Sequence, residues 1–573
     1  MQAGKSTIND IFNQNKVLEI PFFQRAYVWK TDQWERFLDD MEMVSQSNKP
    51  YFLGSVILKQ IPTSSSQSIG DRRKVIDGQQ RLTTMSIFFK VLSLKIKNDY
   101  FANIFRLPLS NYEIALKHNH NDEESFNAIM NLTEELDLNG EDQVTGAYQF
   151  FKENLDVNKI NPQNVLTNVM FVGIDLNHED DEQQIFDTIN SLGLRLTTAE
   201  LLKNYFFGRD HLQQYKDNWQ SVFESSDEVK KYWDKEIVAG RIRRHFIDLF
   251  FYSFLQIKIQ DSKYAIKSED KNKYTKVDGL FDSYKSFIHD YKIDKKELIE
   301  EIKQYAKLFK ANFNIQVLDS ELQAESSMDR INAIIFGLEN TTIIPYVLYV
   351  LKNVPDVTEQ KAIFGFLESY LLRRIVCHAN TKNYNSLFSE NLINNKVLSL
   401  KSLKAYIAER SSDNNYLPTD EDLEKGFNDS RLVNKQATGI LYFIESKLRT
   451  RHHSTAMLGL KSYSLEHIMP KKWENNWPAV STQQEKEKRN TALATIGNFT
   501  IITSSLNSSI RDANWDIKKN GNDKRPGLIK YASGLVTFSS DYLDEEVWDE
   551  SKIKHRASFL YKKAKVIWNV NEE

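Results

Sequence analysis

Arg73-Lys74-Val75-Ile76-Asp77-Gly78-Gln79-Gln80-Arg81-Leu82 is the stretch on which the fold turns. Arg73 to Asp77 reads as a strand, Gly78 as a flexible corner, and the residues from Leu82 onward as a helix. Working outward, Tyr51 to Gln60 is a second strand-like run, joined to the first by a Ser-rich loop from Ile61 to Gly70. Strand, loop, strand, tight turn and helix make a small α/β unit with polar residues at its corner. Upstream, Asp32 to Ser45 places Trp34, Phe37, Leu38 and Met41 at helical spacing. Before it lie an extended, Pro-led segment from Ile20 to Trp29 and a short expected helix from Ser6 to Lys16. Downstream, Asp181 to Phe207 reads as a helix to Asn190, a turn at Leu192-Gly193-Leu194, and a second helix capped by Thr198.

The corner carries chemistry. A strand-to-helix turn exposes backbone N–H groups at a helix N-terminus, where phosphate binds well. Arg81 can pair with phosphate through two parallel bonds, and Asp77 can hold a metal or a water. Gln24 and Arg25, from the extended segment, can face the same cleft. The competing reading is a polar corner that caps the helix and pairs Asp77 with an arginine. Gly4-Lys5-Ser6 matches only the tail of a phosphate-binding P-loop, since no glycine-rich turn or strand stands before it here.

The chain has 573 residues, which at roughly 150 per domain predicts three or four units. Abundant aromatics with few Gly and Pro favour long helices over a many-turned sandwich or barrel. One cysteine, Cys377, leaves no disulfide framework and no Cys-rich zinc site, which fits a reducing cytoplasm. The first residues lack the apolar core of a signal peptide. The most membrane-like run, Ile334 to Leu351, contains Glu339, Asn340 and Pro345 and reads as a buried helix pair or bent helix. Residues 213–430 are helical in pattern, which fits an interdomain lever, a DNA clamp or the interface of a homo-oligomer. Soft boundaries fall near Asp210 to Tyr215 and Ser411 to Arg431. The expected division is therefore 1–212, 213–430 and 431–573.

A net charge of −3 excludes a uniformly basic nucleic-acid binder. The charge is uneven, however. Arg431 to Glu573 holds 23 Lys and Arg against 16 Asp and Glu, a net of +7, and leaves −10 on the rest. A basic C-terminal part on an acidic body suits a domain that meets phosphates.

That part contains Ser464-Leu465-Glu466-His467-Ile468-Met469-Pro470, an acid and a histidine at the end of a strand expected from Tyr463 to Ile468. Asn498 follows in the strand Ile496 to Ile502, and Asn507 comes shortly after. Phosphodiester hydrolysis needs a base to activate water, a divalent cation at the scissile phosphate, and a group that holds the base. His467 is the natural base, because imidazole titrates near neutrality. Glu466 and the Asn507 amide oxygen are hard ligands suited to magnesium or another divalent cation. Asn498 can bond backbone around His467, and Lys518 and Lys519 can reach DNA phosphates. The adjacent His452 and His453 sit in a polar stretch and read as a solvated linker.

These C-terminal residues resemble the HNH, or ββα-metal, nuclease motif. Pro21 to Trp29, Phe52 to Ile57, Val75 to Arg81 and Ile189 to Leu196 together resemble the ParB-like N-terminal domain of GmrSD-type modification-dependent (type IV) restriction enzymes, which also opens SspE-like phage-defence nucleases. Glu368 to Arg374 is similar to a helix in the middle of such chains. The resemblance implies an α+β, predominantly helical protein: a ParB-like α/β domain, a helical middle region and an HNH-type nuclease domain. It implies a cytoplasmic, metal-dependent DNA endonuclease of anti-phage defence acting on modified or phage-derived DNA, with His467, Asn498 and Asn507 as catalytic residues and no membrane partner. It also implies that Asp77, Gly78, Gln79, Gln80 and Arg81, with Gln24 and Arg25, bind and hydrolyse a nucleoside triphosphate such as GTP. Two alternatives stand beside it: an RNA-cutting toxin or abortive-infection effector, and a nucleotide-dependent DNA-binding regulator with an inactive HNH fold.

Overall fold

The computed structural model describes residues 2–12, 16–22, 24–47, 49–61, 71–177, 179, 198–207, 211–239, 242–274, 279–410, 414–449, 456–522, 525–529, 535–538 and 540–570. The helices and turn expected between residues 181 and 197, most of the 61–70 loop, and the His452–His453 pair lie outside these residues. The chain divides into two compact units, Met1–Ser221 and Val222–Glu573.

The first unit is built on a six-stranded mixed sheet of β1 (Gln2–Thr7), β2 (Lys16–Glu19), β3 (Tyr51–Gln60), β4 (Asp71–Asp77), β5 (Leu116–Lys117) and β6 (Val169–Leu176). Its order is β1-β6-β3-β4-β2-β5. β3 runs parallel to β6 and antiparallel to β4, with a register shift at Ile57/Leu58 opposite the end of β4. Three helices pack on it: α1 (Thr31–Gln46), α2 (Gln79–Ile96) and α3 (Gln143–Asn154). The apolar spacing in α1 does what it predicts, burying Trp34, Phe37, Leu38 and Met41. Phe37, Phe88 and Phe151 meet edge to face at 5.6–5.8 Å between ring centres. α2 is buried almost all round, as befits a helix through the middle of a core. Strand alternation sends Ile57 to a separate small cluster with Ile76, Ile174 and Leu176, apart from the main core.

Two boundaries differ from expectation. Residues 2–7 form the edge strand β1, paired antiparallel to β6, and only Ile8–Ile11 is helical, opened by a reciprocal Thr7–Asp10 cap. α2 starts at Gln79, so Gln79, Gln80 and Arg81 form its first turn.

The second unit is mostly helical. It holds α4 (Phe246–Ile259), α5 (Lys295–Asn312), α6 (Val357–Val376) and α7 (Asn434–Leu448). A hairpin of Glu236–Ala239 with Ile242–His245 interrupts the helical pattern. The apolar run from Ile334 bends, with a wide turn at Ala333–Gly337 and a helix at Ile344–Asn353 that takes Pro345 in its first turn. Among the described residues no helix is long and apolar enough to cross a membrane. Glu368 on α6 takes two bonds of 2.7 Å from Arg330, and both residues are enclosed. The same unit continues through β7 (Tyr463–His467), α8 (Gln483–Leu493), β8 (Phe499–Thr503), α9 (Ser504–Ile510), α10 (Trp515–Asn520) and α11 (Glu550–Ile567).

Candidate functional site

β7 and β8 pair antiparallel, with His467 opposite Phe499 and Glu466 opposite Thr500, and α9 follows β8 directly. His467 therefore sits at the end of a two-stranded ribbon backed by a helix. Its ring meets Phe499 edge to face at 4.7 Å. Burial, helped by the charges of Lys471 and Lys518, pushes its pKa down to about 4. The ring is thus a free base at neutral pH.

Asn498 is fully buried and grips the chain beyond His467. Its Oδ1 accepts from Met469 N at 2.8 Å and from Trp548 Nε1 at 3.3 Å. Its Nδ2 donates to Met469 O at 2.8 Å and Leu493 O at 3.1 Å. Ile468 N donates to its main-chain oxygen at 2.9 Å. Asn507, on α9, donates to Ser464 Oγ at 3.0 Å and Leu465 O at 2.9 Å, so it is tied to β7 one residue before Glu466. Both N–H groups of that amide are engaged with β7, and what the side chain has left to offer is Oδ1, a hard oxygen.

Lys518 differs from the surface contact expected of it, while Lys519 is half-buried. Lys518 is fully enclosed, paired with Glu466, and donates to His467 O at 2.7 Å. It belongs beneath the strand end, not at a DNA phosphate. Burial pushes the Glu466 carboxyl up and the Lys518 ammonium down, and each partly offsets this in the other. Lys519 donates to Glu545 O at 3.2 Å. Among the described residues no three His, Cys, Asp or Glu side chains gather as a metal cluster. A divalent cation here would rest on Glu466 and Asn507 and complete its shell with water and phosphate oxygens, the habit of magnesium.

In the first unit, Gly78 turns the chain at φ +97° at the N-cap of α2, and a Cβ there would stand 2.9 Å from Val56. Only glycine takes that turn without strain. Asp77 accepts from Ser55 Oγ at 2.8 Å, and Arg81 lies 3.6 Å from Asp77 while bonding Ser55 O. The competing pairing of Asp77 with an arginine is thus present. Gln80 faces inward, accepting from Val28 N at 2.8 Å and donating to Ala26 O at 3.4 Å. It fastens the extended segment to α2. Gln24 is buried and bonded to Asn204 Nδ2 at 3.2 Å. Two enclosed atoms, Gln79 Oε1 and Arg25 Nε, have no hydrogen-bond partner among the described residues, which is where a ligand's polar groups would be welcome.

Sequence reasoning missed the far side of this segment. Asp122 accepts from Tyr27 N at 2.7 Å, and Asn119 donates to Arg25 O at 3.1 Å. These bonds cross more than 90 residues of chain and leave no local pattern.

No curated protein matches the chain. Two family profiles do: the GmrSD restriction endonuclease N-terminal domain over residues 8–207 and the GmrSD restriction endonuclease C-terminal domain over residues 417–563. The first spans the sheet apart from its edge strand β1, together with the Asp77–Arg81 corner, and the second spans the β7–β8 ribbon with α9. The chain belongs to the GmrSD restriction endonuclease family, whose members hydrolyse DNA.

Proposed function

We propose that this restriction endonuclease cuts modified or phage-derived DNA in the cytoplasm at an HNH-type site on the β7–β8 ribbon, under control of a nucleoside triphosphate, GTP being the first to try, bound and hydrolysed at the Asp77–Arg81 corner. The observation that carries the nuclease half is the Asn498 grip on Met469, which fixes the backbone two residues beyond His467, whose burial favours the free base. The nucleotide half is supported by the unpartnered Gln79 Oε1 and Arg25 Nε beside a helix N-terminus.

In this reading His467 takes a proton from the attacking water, and its neutral form is the competent one. Asn498 holds its loop, and Asn507 fastens α9 to β7 beside Glu466. A magnesium or similar ion bound to Glu466 and Asn507 would supply charge neutralisation at the scissile phosphate and the leaving 3′ oxygen. Lys518 anchors Glu466 and the His467 carbonyl from beneath.

Plasmid cleavage by wild type and His467→Ala tests this, with and without magnesium and nucleoside triphosphate, on unmodified and phage-modified DNA. Loss of the base should slow cutting by about 10²–10⁴-fold. A His467→Ala protein that cuts at the wild-type rate rejects the site. Cutting indifferent to nucleotide rejects the regulatory half alone.

A further inference from the structure

The nuclease ribbon rests on polar side chains that the core encloses completely. Glu445, Asn498, Thr537 and Arg556 are all 0% exposed. Arg556, on α11, uses its guanidinium on main-chain carbonyls. Nη1 donates to Phe499 O at 2.6 Å, Gly497 O at 2.9 Å and Ile496 O at 3.4 Å. Nε and Nη2 donate to Thr537 O at 3.2 and 3.0 Å. Thr537 is fixed in turn, since its N and Oγ1 both donate to Glu445 Oε2 at 2.9 Å. Glu445 lies on α7 beside Ser446, whose Oγ accepts from Arg330, the partner of Glu368 on α6.

Enclosing a cation among carbonyl dipoles is costly, and apolar packing of the same volume is often as stable. A fully bonded polar network gives fixed geometry instead. Here the geometry it fixes is informative. The three carbonyls held by Arg556 bracket Asn498, and Asn498 holds Met469, two residues beyond His467. α11 also presses directly on this turn, for a Cβ on Gly497 would lie 2.1 Å from Ile553 O.

We propose that Arg556 is a positioning residue of the nuclease, acting through Asn498 on the orientation of His467 and not by contact with DNA. The inference rests on the reading of His467 as the base. It assigns the enclosed network from α6 and α7 to α11 the task of holding the catalytic loop.

The test is a double-mutant cycle in single-turnover plasmid cleavage at saturating DNA, run to long times, with DNA affinity measured separately. Arg556→Met should slow cleavage by about 10–100-fold, since a misplacement near 1 Å can cost 10²-fold. DNA affinity should stay as in wild type. Arg556→Met combined with Asn498→Ala should cut no more slowly than Asn498→Ala alone, because the arginine acts through that amide. An Arg556→Met protein at full rate overturns the proposal, as does a further slowing on top of Asn498→Ala or a loss matched by weaker DNA binding. If Arg556→Met does not fold, Arg556→Lys carries the same cycle: it keeps the charge but offers one nitrogen where the guanidinium offers three. A wild-type rate in His467→Ala would instead reject the base itself, whatever Arg556 does.

Discussion

In the proposed mechanism His467 must accept a proton, and so must be free of one at working pH. Burial lowers its pKa from an ordinary 6.5 to about 4, with the charges of Lys471 and Lys518 adding to the effect, which keeps the ring unprotonated at the cost of basicity. The expected consequence is a cleavage rate that holds level from pH 8 down to about 5, provided the ion site stays filled. A fall centred near 6.5 would show that the ring titrates as it does in water and that the enclosure is not present in the working enzyme. The sign for stability runs the same way. The folded ring binds its proton only near pH 4, the unfolded ring near 6.5, so the contribution is complete above 6.5 and is lost as pH falls through that window. The sequence marked His467 as the candidate base and Asn498 as the group that bonds backbone near it, and the second is seen in the Asn498 bonds to Met469; an acid–histidine pair before a Gly-Asn turn is a local pattern. It gave no sign that Lys518 points inward. Lysine is among the side chains least often fully buried, so a surface role is the default until Glu466 and the His467 carbonyl are seen around it.

Elements were legible where their own side chains decide them. α1 follows from Trp34, Phe37, Leu38 and Met41, and β3 from a continuous run of strand-forming residues. β1 was not legible, because Gln2–Thr7 is polar and exists as a strand only through its ladder with β6, more than 160 residues away. The Gly497-Asn498 turn shows the same division. Its residues are plain in the sequence, while the reason for glycine is α11, whose Ile553 carbonyl occupies the space a side chain would need. The obstacle is helix backbone and cannot swing aside. Gly497→Ala should therefore destabilise the second unit by about 1–3 kcal/mol, as overpacked cores do. It should also slow cleavage, because relief comes by moving the turn that carries Asn498. Thermal unfolding and single-turnover cleavage read the two effects. A variant with unchanged unfolding temperature and rate would mean that α11 does not bear on the turn in solution.

At the scale of the whole molecule, the asymmetry of charge bears on how DNA is held. The part from Arg431 to Glu573 carries +7 against −10 on the remainder, so an acidic protein has its attraction for a polyanion concentrated where the nuclease ribbon lies. Part of that basic charge is engaged internally. Arg489 binds Glu550 and Pro478 O, Lys518 binds Glu466, and Arg556 binds carbonyls, all three with their heads enclosed. Those cations cannot release counterions from DNA. The surface lysines that remain predict a moderate footprint of about four to six phosphates, hence a slope of roughly −4 to −5 in log affinity against log salt. Raising salt from 50 to 200 mM should then weaken binding by two to three orders of magnitude, on the order expected for that slope. Lys518→Met should leave the slope as it is, whereas charge reversal at the exposed Lys471 and Lys472 should flatten it. A slope near zero in wild type would mean that DNA is held by something other than this charge. A slope reduced by Lys518→Met alone would place that ammonium at the phosphates after all, and with it the Glu466 pairing would have to open when DNA binds.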